Sequence, residues 1–157
     1  MSHAFRATAG VRALNAVVRS AVRLGLPVGR AHVLTLVGRT SGALRSTPVS
    51  PVRWGGRRWL VASSSAAAWV ANARADGAGT LRGRGRSEAV RLVEADGEDA
   101  HAALKVFADE VARGRWLRTP PGSPVREFAA DLADHPVFEV LGGGDARHAP
   151  PEADTQG

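Results

Sequence analysis

The sequence predicts an α+β protein: a small antiparallel β-barrel with helices inserted between its strands. Hydrophobic residues recur at three- and four-residue steps near the N-terminus and switch to a period of two from His32 onward. The strand-like runs are short, closely spaced and punctuated by glycine and proline, which suits antiparallel pairing. Strands do not alternate with long helices, so a doubly wound nucleotide fold is disfavoured.

The chain has 157 residues and 44% hydrophobic content, enough for one domain with a real core. It contains no cysteine, which excludes disulfides, thiolate nucleophiles, iron–sulfur clusters and Cys-type zinc sites. It contains no tyrosine, so no phenol can serve as an acid. No apolar run approaches the roughly 18 residues needed to cross a bilayer, and no charged-then-apolar signal opens the chain. A cytoplasmic protein without stable membrane insertion is expected. Of 21 basic residues all but Lys105 are arginine, and the net charge is +6. Such a balance suits an anionic cofactor or substrate, a nucleic acid or an anionic membrane surface, and it equally suits simple coding bias.

Residues 4–25 read as an amphipathic helix, with Val11, Leu14, Val18, Ala21 and Val22 on one face and Arg12, Arg19 and Arg23 opposite. Gly25 and Pro27 end it. His32 to Val37 is a strand, closed by the turn Gly38-Arg39-Thr40-Ser41-Gly42. Arg45 to Trp54 is a second extended run, and Pro48 and Pro51 place it at an edge or a bulge. Gly55-Gly56 marks a hairpin to a third strand, Arg57 to Ser63. Ala66–Ala75 is a short helix with Trp69, Val70 and Ala73 inward. Thr80–Gly83 and Glu88–Glu94 are two more strands. Asp96–Arg113 is a helix whose buried stripe is Ala100, Ala103, Leu104, Phe107 and Val111, with Glu98 and Asp99 at its dipole-favoured start. A loop carries Arg115, Trp116 and Arg118. A helix starts at Ser123-Pro124 with Val125, Phe128 and Leu132 inward, and Pro136–Leu141 is the last strand. The domain is expected over 1–141, with 142–157 a disordered tail because apolar periodicity ends there.

Two segments could hold an anion. Gly38 to Gly42 with Arg45, Ser46 and Thr47 offers free amides, hydroxyls and guanidinium forks, a plausible phosphate cradle. It lacks the Gly-Lys-Ser/Thr ending of a P-loop, and an ordinary hairpin turn also explains it. Ser63-Ser64-Ser65 leads into a helix, where it could bind an anion or merely supply an N-cap. Trp69 fits the core or a ligand contact, and Asn72 one turn later could bond a ligand or a loop carbonyl. His3, His32, His101, His135 and His148 lack ligand spacing, so no metal site is expected. His32 and His135 read as structural. Arg82, Arg84 and Arg86 alternate on a hairpin without interleaved aromatics, which speaks against nucleic acid.

These pieces, in this order, resemble the deazaflavin-dependent nitroreductase family. "VLTLVGRTSGALRSTPVSPV" is similar to the family's strand–Gly-Arg-x-Ser-Gly–x-x-Arg-x-Thr-Pro segment, and "GGRRWLVAS" follows it. "AAWVANARADG" is similar to its Trp-x-x-Asn-x-Arg helix, and "SPVREFAADLADHPVFEV" to its closing helix and strand. The resemblance spans about residues 10–141. It implies a split antiparallel β-barrel of the FMN-binding type and a reductase using coenzyme F420, an 8-hydroxy-5-deazaflavin. It assigns the cofactor's phosphate and oligoglutamate to Arg39, Thr40, Ser41, Gly42 and Arg45. Val33, Leu34 and Thr35 would line the cofactor, and Val49, Ser50, Pro51 and Val52 would lie beside its ring. Leu60 to Ser64, with Val61 and Ser63, would lie opposite, and Trp69 and Asn72 would close the pocket.

The implied reaction moves hydride from the reduced deazaflavin to a small enone, quinone or nitro-type acceptor. The protein holds ring and acceptor together and excludes water. Ser63 or Ser50 is nominated to handle the proton. Many family members carry Lys or Arg where this chain has Thr40. The loop Ser64-Ser65-Ala66-Ala67 is bulkier than the family's glycine-bearing one, and Trp116 is the nearest aromatic where the family has substrate-side tyrosines. The rival expectation is the same barrel without cofactor, acting as a cofactor-independent secondary-metabolism enzyme or a small-ligand binder. A monomer or homodimer with a small-molecule substrate, and no nucleic acid, is expected.

Overall fold

The computed structural model describes residues 31–142. The helix expected over 4–25 lies outside them, as does the segment 143–157. Seven strands run β1 (His32–Val37), β2 (Leu44–Val49), β3 (Val52–Trp54), β4 (Arg57–Val61), β5 (Ala78–Gly83), β6 (Arg86–Ala95) and β7 (Val137–Gly142). Helix α1 (Ala68–Ala75) separates β4 from β5, and α2 (Gly97–Phe107) follows β6. One π-helical turn, Ala108–Ala112, extends α2, and a 3₁₀ segment, Val125–Asp131, precedes β7.

The strands form one antiparallel sheet in the order β2-β1-β5-β6-β7-β4-β3. Its two edge strands are consecutive in the chain, joined only by Ser50-Pro51. Seven strands laid flat at about 4.8 Å spacing would hold those edges roughly 29 Å apart. Two linking residues make three Cα steps and leave the strand ends at most about 11 Å apart. The sheet therefore curls into a half-barrel, and the Ser50-Pro51 corner draws its ends together. Both prolines sit where an edge tolerates them: Pro48 in β2 opposite Val33, and Pro51 in the corner itself.

Alternation divides the core in two. Leu34, Leu36, Leu60, Leu81, Leu92 and Phe138 point to one face, where Val70 and Ala73 of α1 cover them. Their chain neighbours Trp59 and Val137 point to the other, where Leu104, Phe107, Val111 and Phe128 pack. The period of two in β4 and β7 thus serves two layers at once. The stripe expected on α2 is buried throughout.

Gly55 and Gly56, both at positive φ (62° and 72°), make the expected hairpin between β3 and β4. Gly79 serves packing: a Cβ there would collide with the Thr35 carbonyl across the β1–β5 pairing.

Four sequence expectations change in detail. The serine run does not cap α1: its cap is Ala67 without a side-chain bond, while the Ser64 hydroxyl accepts from the Ala66 amide at 3.1 Å. Trp69 is half-buried rather than fully inward. The helix after Ser123 is 3₁₀, with Pro124 at its cap. Strand β7 continues to Gly142, paired with Val90.

Candidate active site

Pro48, Val49, Ser50, Val61, Ser63, Trp69, Phe107 and Trp116 line one cavity of about 30 Å³. Val49 and Ser50 come from the corner, Val61 and Ser63 from the end of β4, Trp69 from α1, and Trp116 from the loop after α2. Of the residues that the resemblance places around the ring, Val49, Ser50, Val61, Ser63 and Trp69 line this cavity, whereas Pro51, Val52 and Asn72 do not. Phe107 was legible only as core. Its ring stacks on Trp116 with centroids 6.1 Å apart and planes 24° from parallel. Trp69 packs across Phe138 at 5.3 Å and 55°.

Ser50 and Ser63 contribute the hydroxyls of this cavity. Ser50 is 5% exposed, and its Oγ is the buried side-chain polar atom without a hydrogen-bond partner among the described residues. A buried hydroxyl without a partner is unfavourable by about 1–3 kcal/mol, so this one is available to a polar atom of a bound molecule.

The second group of expected residues lies on the β1–β2 turn. Thr40, Ser41, Gly42 and Arg45 are exposed, and none lines the cavity. Gly42 takes φ 71°, and its amide donates to the Gly38 carbonyl at 2.9 Å. The Ser41 hydroxyl accepts from the Ala43 amide at 3.2 Å. Asn72 ties this turn to the cavity wall. Its buried Oδ1 accepts from both the backbone amide and Nη1 of Arg39, at 3.1 and 3.2 Å. Asn72 lies one turn beyond Trp69 on α1, so the basic turn and the aromatic wall share a support.

The 113–119 loop that carries Trp116 is held from outside the cavity. Trp116 has φ 65° and Arg113 φ 48°, left-handed values that bulky residues rarely adopt. Asp131, fully buried, accepts from the Arg118 amide at 2.7 Å and the Thr119 amide at 3.1 Å. Burial pushes its carboxyl up. The Thr119 hydroxyl, these two amides and the nearby His135 outweigh burial and hold it below the ordinary carboxylate range. His135 Nδ1 lies 2.9 Å from the Ala62 carbonyl and Nε2 3.1 Å from the Trp116 carbonyl. Sequence reasoning missed Asp131. Its signal was available: three residues after Phe128 is one 3₁₀ turn, which places it on the same buried side.

A larger cleft of about 430 Å³ is lined by Arg53, Arg58, Arg84 and Glu110 among others. Arg58 is paired with Glu88 there. Pro51 and Val52, which the resemblance places beside the ring, line this cleft and not the aromatic-walled cavity. Among the described residues no cluster of His, Cys, Asp or Glu could hold a metal, and no helix is long and apolar enough to cross a membrane.

A curled antiparallel half-barrel with an aromatic-walled cavity at its corner is a split β-barrel. The family described as F420H(2)-dependent quinone reductase matches residues 8–118, and the chain belongs to that family of oxidoreductases. That match ends before the 3₁₀ segment and β7. Among solved structures, an F420-H2 dependent reductase, FDR-A, is similar at 20% identity and TM-score 0.50, over 71% of this chain and 93% of that one. A conserved hypothetical protein from Mycobacterium tuberculosis is similar at 15% identity and TM-score 0.50, over 73% of each chain. A structure described as a domain-swapped dimer is similar at 20% identity and TM-score 0.51, over 85% and 98%. At these identities the likeness speaks to fold. No curated protein matches the chain.

Proposed function

We propose that the chain reduces a small electrophilic enone, quinone or nitro-type compound with F420 as hydride carrier. The observation that carries this is the convergence of Val49, Ser50, Val61, Ser63, Trp69 and Trp116 on one cavity. The donor set fits a deazaflavin: apolar and aromatic faces for a planar ring, and one unpartnered buried hydroxyl for a polar ring atom. When bound, the reduced cofactor supplies a hydride from its C5.

The chain's own residues do the rest. Arg39 and Arg45 would hold the phosphate and carboxylates of the tail through their guanidinium forks, with the hydroxyls of Thr40 and Ser41 beside them and Gly42 shaping the turn. Asn72 orients Arg39 for this. Val49, Val61 and Trp69 flank the ring and exclude water, and Trp116 bounds the acceptor side. The hydroxyl of Ser50 or Ser63 passes the proton that completes reduction of the acceptor.

The protein is cytoplasmic and a monomer or homodimer. The domain-swapped dimer among similar structures supports the latter.

A second reading has one observation in its favour. Ligand pockets typically measure about 300–1,000 Å³, an order of magnitude above this cavity. A chain that keeps the pocket closed would be a cofactor-independent enzyme or small-ligand binder. Titration of the purified protein with oxidised F420, read by cofactor fluorescence, separates the two. Saturable change at micromolar concentrations supports the reductase, and no change at tens of micromolar overturns it.

A further inference from the structure

His135 faces two acceptors. It is 6% exposed, with Nδ1 2.9 Å from the Ala62 carbonyl and Nε2 3.1 Å from the Trp116 carbonyl. A carbonyl oxygen can only accept. A neutral imidazole carries one N–H and an imidazolium carries two. The imidazolium therefore makes both bonds, whereas the neutral ring makes one and turns a lone pair toward the other oxygen. Ala62 lies between Val61 and Ser63 on one wall of the cavity, and Trp116 is on another. His135 is thus a strap between two walls of the candidate site.

The two anchors are unequal. Ala62 continues β4, and its amide donates to the Pro136 carbonyl at 2.9 Å. The amide of His135 donates to the Asp131 carbonyl at 2.9 Å, which keeps the imidazole in place whatever its charge. Trp116 is the apex of a tight turn in which the Leu117 amide donates to the Arg115 carbonyl at 2.7 Å. Its φ is left-handed, and Gly114 before it stands at φ 89°. When one bond is given up, the yielding partner is Trp116.

Ionisable groups approach the ring from several elements. From the 3₁₀ segment the buried carboxylate of Asp131 faces the ring and interacts with it electrostatically. Asp134, beside His135 in the chain, is engaged by Arg118 at 3.1 Å. The 113–119 loop brings Arg113, Arg115 and Arg118. The β4 end, Leu60–Ser63, and the start of β7, Pro136–Phe138, bring no ionisable side chain.

We propose that His135 is a positioning residue for Trp116. Protonated, it clamps the Trp116 carbonyl to Ala62 and holds the cavity at its small volume. Neutral, it frees the Trp116 wall, and a planar aromatic ligand gains entry. Affinity for such a ligand then rises with pH through the titration of this one ring. The proposal rests on reading the cavity as the ligand site. Its central residue, His135, lies beyond the stretch that the family match covers.

The test uses the full chain, first without ligand. Nitrogen-15 NMR of the histidine rings follows the protonation of both His135 nitrogens across pH. Amide hydrogen exchange, expressed as protection factors, follows Leu117 to Thr119 over the same range. The expected result is that both ring nitrogens are protonated at the acid end, and that Leu117 and Arg118 protection falls about tenfold with the ring titration. In His135→Gln that protection is low and independent of pH. The second arm titrates oxidised F420 at pH values on either side of the ring transition. Its dissociation constant is expected to drop several-fold in the parent and to show no step in His135→Gln. A ring that keeps one proton throughout, or loop protection that ignores its titration, overturns the proposal. The same holds for a cofactor affinity step that survives in His135→Gln. A protection step in a protein that binds no F420 supports the strap and counts instead against the cofactor reading. If His135→Gln does not fold, the match between ring titration and loop protection in the parent decides alone.

Discussion

Replacing Ser50 by alanine separates stability from binding. In the free protein the Ser50 hydroxyl lies 5% exposed in a cavity of about 30 Å³ and bonds to no described protein group. That volume admits about one water molecule. Removing the hydroxyl deletes no protein–protein hydrogen bond and leaves a methyl against Val49 and Trp69. The folded state should change by less than about 0.5 kcal/mol, or gain up to about 1 kcal/mol by losing an unsatisfied group. For a domain of this size that is a Tm unchanged or raised by about 3–6 °C. Ligand binding should suffer. A hydrogen bond from this hydroxyl to a polar ring atom contributes about 0.5–1.5 kcal/mol, which is roughly 2- to 12-fold in Kd. Thermal unfolding with and without oxidised F420 reads both numbers in one assay. A variant destabilised by more than about 1 kcal/mol would show that the hydroxyl has a protein partner. An unchanged Kd would show that it does not face the ligand. Either result refutes the reasoning.

The double change Arg39→Ala with Arg45→Ala removes both forks of the proposed cradle. Charge-assisted bonds contribute about 1.5–3 kcal/mol each, so F420 affinity should fall by about 100-fold or more, and an affinity that survives puts the anion elsewhere. Asp131→Asn should destabilise the protein by about 2–4 kcal/mol at neutral pH, because a buried carboxylate taking two loop amides becomes a neutral amide. The carboxyl's folded pKa lies below its unfolded value, so its contribution is present above the unfolded pKa, about 3.9, and is lost as pH falls through the folded one. The gap between parent and variant should therefore close in acid, and a gap of constant size in denaturant melts between pH 7 and pH 3 would contradict this. Gly79→Ala drives a Cβ into the Thr35 carbonyl and the Leu36 side chain across the β1–β5 pairing, and should lower stability by about 2 kcal/mol or more in thermal melts. A neutral result there would mean that the two strands separate without penalty.

Much of the frame was legible in the chain because it depends on local chemistry. The period of two in His32–Val37 and in the run from Arg57, which ends as a strand at Val61 and not at the expected Ser63, the Gly55-Gly56 turn and the apolar stripe of α2 depend on residues a few positions apart. Each appears where its spacing put it. The candidate site was legible in part, since Val49, Ser50, Val61, Ser63, Trp69 and Trp116 were named through a resemblance and converge on one cavity. The serine run misled as a cap because a hydroxyl two residues early can close a turn of its own, and Ser64 does so. Asp131 is not legible as a site-supporting residue because its role depends on the Arg118 and Thr119 amides, which reach it only in the folded chain.

The sequence by itself determined the strands, the hairpins, the helix faces and the edge placement of Pro48 and Pro51. These follow from backbone preferences and from apolar spacing within single segments. Only the tertiary structure decided that β2 and β3 are opposite edges joined by Ser50-Pro51, so that the curl of the sheet strands one buried hydroxyl in the corner. Only it brought Ala62 and Trp116 to the two nitrogens of His135, although 73 and 19 residues of chain separate them. Such contacts depend on how remote segments meet once the core is packed, and no local periodicity encodes that meeting.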